Sequence, residues 1–511
     1  MNKQSQPYRS CLGRRFRGLV AGATLTGMAA SGCRLPTSAM PPPPPPSSAT
    51  FAGRGEAARA ALQRLFYAPS EQKWHKCAGG VQCGTTNHDW GADSLTYDLW
   101  FRHSLTGDPT IVTLLHALDA TAPAYTGTCR LGSCSLWSDE VMWDALAAVR
   151  EHDATHETHA VKRAEDDFTF IDRSDAFWFG ACPTVAYQHP GAGGGGLKTL
   201  ETDSNYIKTA LLLYERTHER GYLDKAAAHY AAARQYYLDP SVPLYTVWLV
   251  DDGKRCPQIP RRFYASVNGN MITSGLLLAR ATGDASYREQ ALATAHAIDT
   301  GMSDGAGIFE DLQAENDVVE PLVEAFYDLA KTEDEPFARD WILRNAAASD
   351  SATTYEGSYG RFWGGPRPKV ATTCFQANGG FALAFAAAAL APEERPLARD
   401  VWTLARHVTR TISALPAKID LDGRAIAIMG AIGDRCCEEG HIRVLLDGVE
   451  TFDGTGIWQN KSSAKKTIPD SVLFAWRWPE SGHHTIDLLP GQRNPKEGST
   501  FVHVEGYDVV P

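Results

Sequence analysis

Carboxyl groups are the side chains here best placed to do chemistry. Five adjacent acidic pairs stand out: Asp139-Glu140, Asp166-Asp167, Asp251-Asp252, Glu310-Asp311 and Glu438-Glu439. Two neighbouring carboxyls can divide labour, because repulsion from an ionised one holds the proton on the other. The first can attack or steady a cation and the second can donate its proton. Context separates the pairs. Asp166-Asp167 sits among Lys162, Arg163 and Glu165 and reads as an exposed helix face, and Asp251-Asp252-Gly253 reads as a turn. Asp139-Glu140 follows Trp137-Ser138 and precedes Val141-Met142-Trp143. Ser138 is expected to cap a helix, with both acids in its first turn and aromatic residues as a wall on either side. The helix N-terminus favours the ionised form of one acid. Such a pair suits glycoside hydrolysis, with retention if the groups are roughly 5 Å apart and inversion if a water must fit between them. The same acids would serve equally as partners of the helix dipole, and the local sequence leaves both roles open.

Other chemistries lack their residues. The chain has no Gly-x-Ser-x-Gly elbow, no Gly-x-x-x-x-Gly-Lys-Ser/Thr phosphate loop and no His-Glu-x-x-His zinc helix. The glycines between Gly191 and Gly196 follow no apolar strand and read as a loop. His152, His156 and His159 have helical spacing but no cluster of further ligands in sequence, so they read as a solvated face. Neither metal nor cofactor is expected.

The elements that must position the acids are helices. Segments at helical period cover 55–67, 93–104, 109–120, 138–152, 156–171, 203–219, 221–238, 264–282, 284–300, 317–331, 335–349, 373–391 and 394–413. Tight turns at Gly107-Asp108, Arg220-Gly221 and Gly283-Asp284 alternate with longer loops rich in aromatic residues and acids, notably Trp137–Asp139, Trp178–Gly196, Trp248–Asp252 and Tyr359–Gly365. Alternating short and long connections predict helical hairpins packed side by side. Without the fixed repeat period of an open solenoid, six hairpins closed into an (α/α)6 toroid are the expectation, its long loops converging on a cleft. From about 415 the pattern changes to short strand-like runs at Ala425–Met429, His441–Leu446, Ser471–Trp478, His484–Leu489 and Phe501–Val504. The reading is a toroid over 53–414 and a small β-sandwich over 415–511.

Composition fits an exported globular protein. The 511 residues are 43% apolar and 21% charged, with net charge −11, a balance that excludes a general nucleic-acid binder. Residues 1–33 carry Lys3, Arg9, Arg14, Arg15 and Arg17, no acid, then a weakly apolar run and Ala30-Ser31-Gly32-Cys33. A basic start, an apolar stretch and small residues are an export signal. Its ending resembles a bacterial lipobox, which would make Cys33 the lipidated N-terminus and a lipid anchor the sole membrane contact. Its loss removes five positive charges and leaves −16. Pro41–Pro46 within 34–52 would form a stiff spacer. Cys77/Cys83 and Cys129/Cys134 could close local disulfides in an oxidising compartment; partners for Cys182, Cys256 and Cys374 cannot be read.

The block Ser138-Asp139-Glu140-Val141-Met142-Trp143-Asp144-Ala145-Leu146-Ala147 resembles the Asp-Asp-x-x-Trp-Trp-x-Leu-Ala block of glycoside hydrolase family 76, the endo-α-1,6-mannanases and their fungal cell-wall relatives. Further blocks follow in order: Gly193–Gly196, Asn205-Tyr206-Ile207-Lys208, Tyr214–Thr217, Tyr264–Asn268, Leu278–Tyr287, Trp363–Pro366 and Gln376-Ala377-Asn378. The resemblance spans about 85–395. It implies an (α/α)6 barrel and a retaining mechanism on α-1,6-linked mannose, with Asp139 as nucleophile and Glu140 as acid/base. Trp143, Asn268 and Trp363 would contact substrate. Departures are Glu140 for an Asp, Asp144 for a Trp, and Leu197-Lys198 for Trp-Trp, which would remodel the substrate wall. The C-terminal stretches His441–Val449, Gly482–Ile486 and Val504–Val509 resemble β-sandwich modules appended to bacterial carbohydrate enzymes, where Trp458, Trp476 and Trp478 would stack on sugars or fill the core.

The expectation is a monomeric, exported retaining glycosidase acting on a polysaccharide or oligosaccharide. A catalytically inactive surface glycan-binding lipoprotein and a transglycosidase of the same fold are the alternatives.

Overall fold

The computed structural model describes residues 50–75, 90–128, 130, 136–187, 196–239, 241–259, 263–310, 319–350, 357, 359, 362–367, 379–392, 401–432, 441–450, 456–458, 468–491 and 504–511. Cys33, the proline run and every cysteine except Cys182 and Cys256 lie outside the described residues, as do Glu438-Glu439 and Gln376–Asn378.

Twelve helices are described: α1 (Phe51–Phe66), α2 (Trp90–Thr106), α3 (Thr110–Asp119), α4 (Ser138–Thr155), α5 (Thr158–Arg173), α6 (Leu200–Thr217), α7 (Arg220–Tyr236), α8 (Ala265–Thr282), α9 (Ala285–Gly301), α10 (Glu320–Lys331), α11 (Pro336–Ala348) and α12 (Gly379–Leu390). Two short ribbons interrupt them, β1 (Tyr67–Ala68) with β2 (Lys73–Trp74), and β3 (Leu197–Thr199) with β4 (Trp248–Val250). Helices α2, α4, α6, α8, α10 and α12 each pack on the next, and α12 packs back on α2. That closed inner ring is surrounded by α3, α5, α7, α9 and α11, each beside its hairpin partner, while α1 packs on α12 and completes the sixth hairpin. The expected (α/α)6 toroid is therefore present.

Local sequence explains the alternation. Inner helices are buried on most faces, polar residues included: α8 buries every residue from Ala265 to Leu278, Asn268 and Asn270 among them. Outer helices bury a stripe, as α7 does with Leu223, Ala226, Tyr230 and Ala233. Gly283 ends α8 with φ +75, a conformation that glycine adopts without strain, and Asp284 then caps α9 by accepting from Ser286 N. The turn between α6 and α7 falls at His218-Glu219, whereas Arg220-Gly221 opens α7.

Polar side chains fill the middle of the ring. Lys208 (α6) is fully buried and donates to Tyr97 Oη (α2, 2.5 Å), Asn270 Oδ1 (α8, 3.1 Å) and Glu324 Oε2 (α10, 2.5 Å). Arg150 (α4) pairs with the same Glu324. One network thus joins five inner helices, each charge having an opposite partner, which is the condition for burying charge at tolerable cost.

The C-terminal part is one antiparallel sheet of β5 (Arg406–Ile412), β6 (Ala417–Ile432), β7 (His441–Leu446), β8 (Val449–Glu450), β9 (Gly456–Trp458), β10 (Ile468–Pro490) and β11 (Val504–Val510). Strand order is β5-β11-β6-β10-β7-β8, with β9 on β7. Strands β6 and β10 run through both halves, and Ile426, Phe474 and Val509 share one core with Ile419, Val444 and Ile486. The expected helix over 394–413 is corrected: residues 401–404 form a short 3-10 turn and 406–412 pair with β11. The sheet therefore begins at Arg406, not near 415. It joins the toroid through Arg477, whose Nε lies 3.0 Å from Asp304 Oδ2, and through Trp402 Nε1 donating to Gly364 O (2.8 Å). A Cβ at Gly364 would lie 2.7 Å from the Arg477 guanidinium, so a larger residue there would displace that side chain. Phe474 is buried and Trp476 and Trp478 are half-buried against the same core. Trp478 also stacks on His484 at 4.0 Å. The core reading of these rings is the one observed; the Trp458 side chain lies outside the described ones.

Candidate active site

The inner helices α4 and α6 begin side by side. Ser138 does not cap α4, as expected, because Trp137 occupies the cap position. Its hydroxyl instead bonds to Ala186 O (2.7 Å) and to Thr202 Oγ1 (2.8 Å) at the start of α6. That bond holds the two helix starts together. Asp139 and Glu140 do lie in the first turn of α4, and Glu201 lies in the first turn of α6, where Thr199 caps by accepting from Glu201 N. Three carboxyls therefore meet at one end of the ring.

Their electrostatics follow from that crowding. Burial, then Glu201, then Glu140 push the Asp139 carboxyl well above its ordinary range. Glu201 is pushed up to about 7 by burial. The helix dipole that was expected to keep one acid ionised is outweighed at Asp139 by desolvation and two like charges. Asp139 Oδ1 is buried and accepts no hydrogen bond among the described residues.

Loops between hairpins furnish the walls. Trp137 and Tyr187 meet at 4.7 Å between ring centres, and Tyr187 and Trp248 at 4.9 Å, nearly perpendicular. All three rings are half-buried. The Tyr187 hydroxyl lies within electrostatic range of Asp139, Glu201, Tyr264 and Glu140, and burial with those neighbours pushes it well up.

A second set of contacts fixes the loops. β3 and β4 pair Leu197 with Val250 and Thr199 with Trp248. Cys182 and Cys256 form a disulfide, with Cα atoms 6.2 Å apart. The buried Asp251 carboxylate accepts from Ala181 N (2.8 Å), Cys182 N (3.2 Å) and Gly253 N (2.8 Å), which hold it below the usual range despite burial. Asp251 is thus more than the turn residue its sequence suggested. At Gly180 (φ +91) a Cβ would collide with that carboxylate at 2.1 Å. Lys198 is likewise buried, its ammonium donating to Cys182 O (2.9 Å) and Thr184 O (2.7 Å). It braces the loop behind the site, which corrects the expectation that it remodels a substrate wall.

Three expected substrate contacts sit elsewhere. Trp143 is 3% exposed in the core between α4, α5 and α6. Asn268 is fully buried, with its amide spent on Tyr245 N and O and on Tyr264 O. Trp363 packs inside against Phe309 and Trp341. Their helical or loop positions point them inward, so each is corrected to a packing residue. Asn268 still acts on the site indirectly, tying down the loop that carries Trp248. Sequence reasoning missed Glu201, Tyr187 and Trp248 as neighbours of the pair. Glu201 opens a helix as Asp139 does, but the expected helix began at 203 and only the fold brings the two helix starts together.

Asp166-Asp167 also departs from expectation. Asp166 is exposed, but Asp167 is 1% exposed and lies within electrostatic range of Asp144 of α4. Arg163 lies 3.5 Å from Asp144 and 3.1 Å from Glu151, and also pairs with Asp119. His159 is exposed and joins Asp119 at 3.0 Å. Asp119, Glu151 and His159 are close enough for a cation, yet Arg163 already supplies one there. Among the described residues no helix is long and apolar enough to cross a membrane.

No protein-family model matches this sequence, and no curated protein matches it. Solved structures share its fold. An inactive variant of an α-1,6-mannanase from a Salegentibacter species, with two consecutive aspartates replaced by asparagine and α-1,6-mannotriose bound, matches with TM-score 0.56 at 19% identity, covering 66% of this chain and 99% of that one. A family 76 α-mannanase of Bacteroides thetaiotaomicron matches with TM-score 0.56 at 17% identity, covering 66% and 95%. A family 76 mannosidase from the same species matches with TM-score 0.55 at 16% identity, covering 66% and 98%. The toroid thus has the fold seen in glycoside hydrolase family 76.

Proposed function

We propose that this protein is an exported retaining glycoside hydrolase that cuts α-1,6-linked mannan or a closely related glycan, with Asp139 and Glu140 as its carboxyl pair. The observation that carries the reading is the carboxyl cluster at the start of α4, with one buried oxygen unpartnered and three aromatic rings beside it. The shared fold and the bound mannotriose of the Salegentibacter enzyme supply the substrate class. Aromatic faces beside acids suit a sugar, which offers apolar C–H faces and hydroxyl edges.

A retaining mechanism needs one ionised and one protonated carboxyl. Asp139 attacks the anomeric carbon while Glu140 gives its proton to the glycosidic oxygen as that carbon–oxygen bond breaks. Water then attacks the same carbon, Glu140 takes the water proton, and the bond to Asp139 breaks. In the ligand-free protein burial and its two acidic neighbours favour the protonated form of the Asp139 carboxyl. The reaction requires that proton on Glu140, and the cationic character of the reacting sugar favours the transfer by stabilising ionised Asp139. No metal or cofactor takes part, and the protein acts as a monomer. Lipidation at Cys33 and the proline spacer would hold it at a membrane surface facing the periplasm or cell exterior.

The test is incubation with α-1,6-mannan, following reducing-end release and, by NMR, the anomeric form of the first product. Release with α configuration is the expected result. Binding by calorimetry without release over long incubation would sink the hydrolase and leave a glycan-binding protein.

A further inference from the structure

We propose that Glu201, on the neighbouring helix, is a third carboxyl of this site and a positioning residue that governs where the proton of the Asp139–Glu140 pair resides. The inference rests on the glycosidase reading for its kinetic test but not for its electrostatic one.

The geometry is specific. α4 and α6 are adjacent members of the inner ring, and both start at the same end of it. Ser138, directly before Asp139, is hydrogen-bonded to Thr202, directly after Glu201, at 2.8 Å. The backbone is pinned on both sides: Ser138 N donates to Tyr187 O, Tyr187 N to Leu197 O, and Leu200 N to Val247 O. The backbone segments that carry the two acids are therefore held at a fixed offset. Among the groups bearing on Asp139, Glu201 ranks ahead of its own chain neighbour Glu140. The other titratable groups are Tyr187 from the loop before β3 and Tyr264 from the cap of α8. Tyr125, after α3, lies near Glu140 together with Asp93 of α2 and Asp144 and Asp167 of the neighbouring cluster.

The consequence is directional. A charged Glu201 opposes ionisation of Asp139, and the backbone N–H groups of Asp139 and Glu140 offset it only in part. Glu201 itself is pushed up to about 7, so its charge appears within the working pH range. Replacing it with a neutral isostere removes the opposing charge and lets Asp139 ionise at lower pH.

Glu201→Gln, with Glu201→Ala as a second variant should Gln fail to fold, tests this in the full protein. Two readouts are taken: the pH profile of kcat/KM on α-1,6-mannan, and the carboxyl titration of Asp139 by 13C NMR. The expected result is an acidic limb and an Asp139 titration both lowered by about one pH unit or more, the usual scale for removing a like charge at short range. A lowered alkaline limb would also support control by Glu201, and would make Asp139 the proton donor. An unchanged Asp139 titration would overturn the proposal. If the parent protein cleaves no mannan, the glycosidase reading fails by itself, and the NMR titration alone decides for or against Glu201.

Discussion

Helix α4 carries two groups of acids within two turns. At its start Asp139 and Glu140 meet Glu201 of α6, beside Trp137, Tyr187 and Trp248. Further along, Asp144 meets Asp167 of α5, and Arg163 reaches across to Asp144, Glu151 and Asp119. Both groups are buried enough to push carboxyls upward. They differ in what answers the charge. The second has a guanidinium, Arg163, within ion-pair distance of three of its carboxyls. The first has like charges for neighbours, Glu201 and Glu140 being the charged groups that bear most on Asp139. A structural cluster carries its own counter-charge; a functional one can leave like charges for a ligand to answer.

Single substitutions in each cluster should break the comparison cleanly. Asp139→Asn is expected to lower turnover of α-1,6-mannan by about 10^4-fold, the scale of losing a member of a catalytic unit, with the melting temperature nearly unchanged. Asp144→Asn should leave turnover per folded molecule intact. Equal losses in the two variants would erase the distinction.

Next in size is Arg163→Met. It strips the second cluster of its cation and should cost about 3 kcal/mol by denaturant titration, as when one partner of a buried pair is removed. A loss below about 1 kcal/mol would mean that the cluster is solvated after all. Smaller again is Asp167→Asn. Burial, then Asp144, raise the Asp167 carboxyl, so the native protein holds a proton that the unfolded chain releases near the ordinary carboxylate range. Stability is fully present below that range and falls as pH rises toward the folded-state value. The Asn variant should flatten this fall by on the order of 1–2 kcal/mol between pH 5 and pH 8, measured by thermal melts across that interval. An equally steep fall in the variant would place the titrating group elsewhere. The smallest effect is expected of Trp248→Ala, which removes a ring from the first cluster alone. KM should rise about five-fold, near 1 kcal/mol for one aromatic contact. An unchanged KM would exclude that wall from binding.

Much of this arrangement was legible in the sequence, and the exceptions share a cause. Periodicity located the twelve described helices because inner helices such as α8 are buried nearly all round and outer ones such as α7 carry stripes. It failed over 394–413, where an Ala-, Leu- and Arg-bearing stretch hides the β-branched run Val408, Thr409, Thr411 and Ile412. The partner that makes that run a strand, β11, lies about ninety residues further on, and no local window contains it. Asp167 was readable: with Ala160, Ala164, Phe168 and Ile171 it falls on the buried stripe of α5. Its charge and its neighbours Lys162 and Glu165 concealed that position. Asp139 and Glu140 were legible as a pair in a helix's first turn. Glu201 was not, because nothing in either segment says that α4 and α6 start side by side.

The sixth hairpin joins the helix at the front of the described chain to the one at the end of the toroid, α1 on α12. At ordinary synthesis rates α1 must wait roughly half a minute after emerging before its partner exists. During that interval Ala58, Leu62 and Phe66, which are buried in the finished ring, lack the cover that Phe381, Ala384 and Phe385 of α12 supply. Assembly of the ring is therefore vectorial up to its last step, and that step joins the oldest helix to the newest.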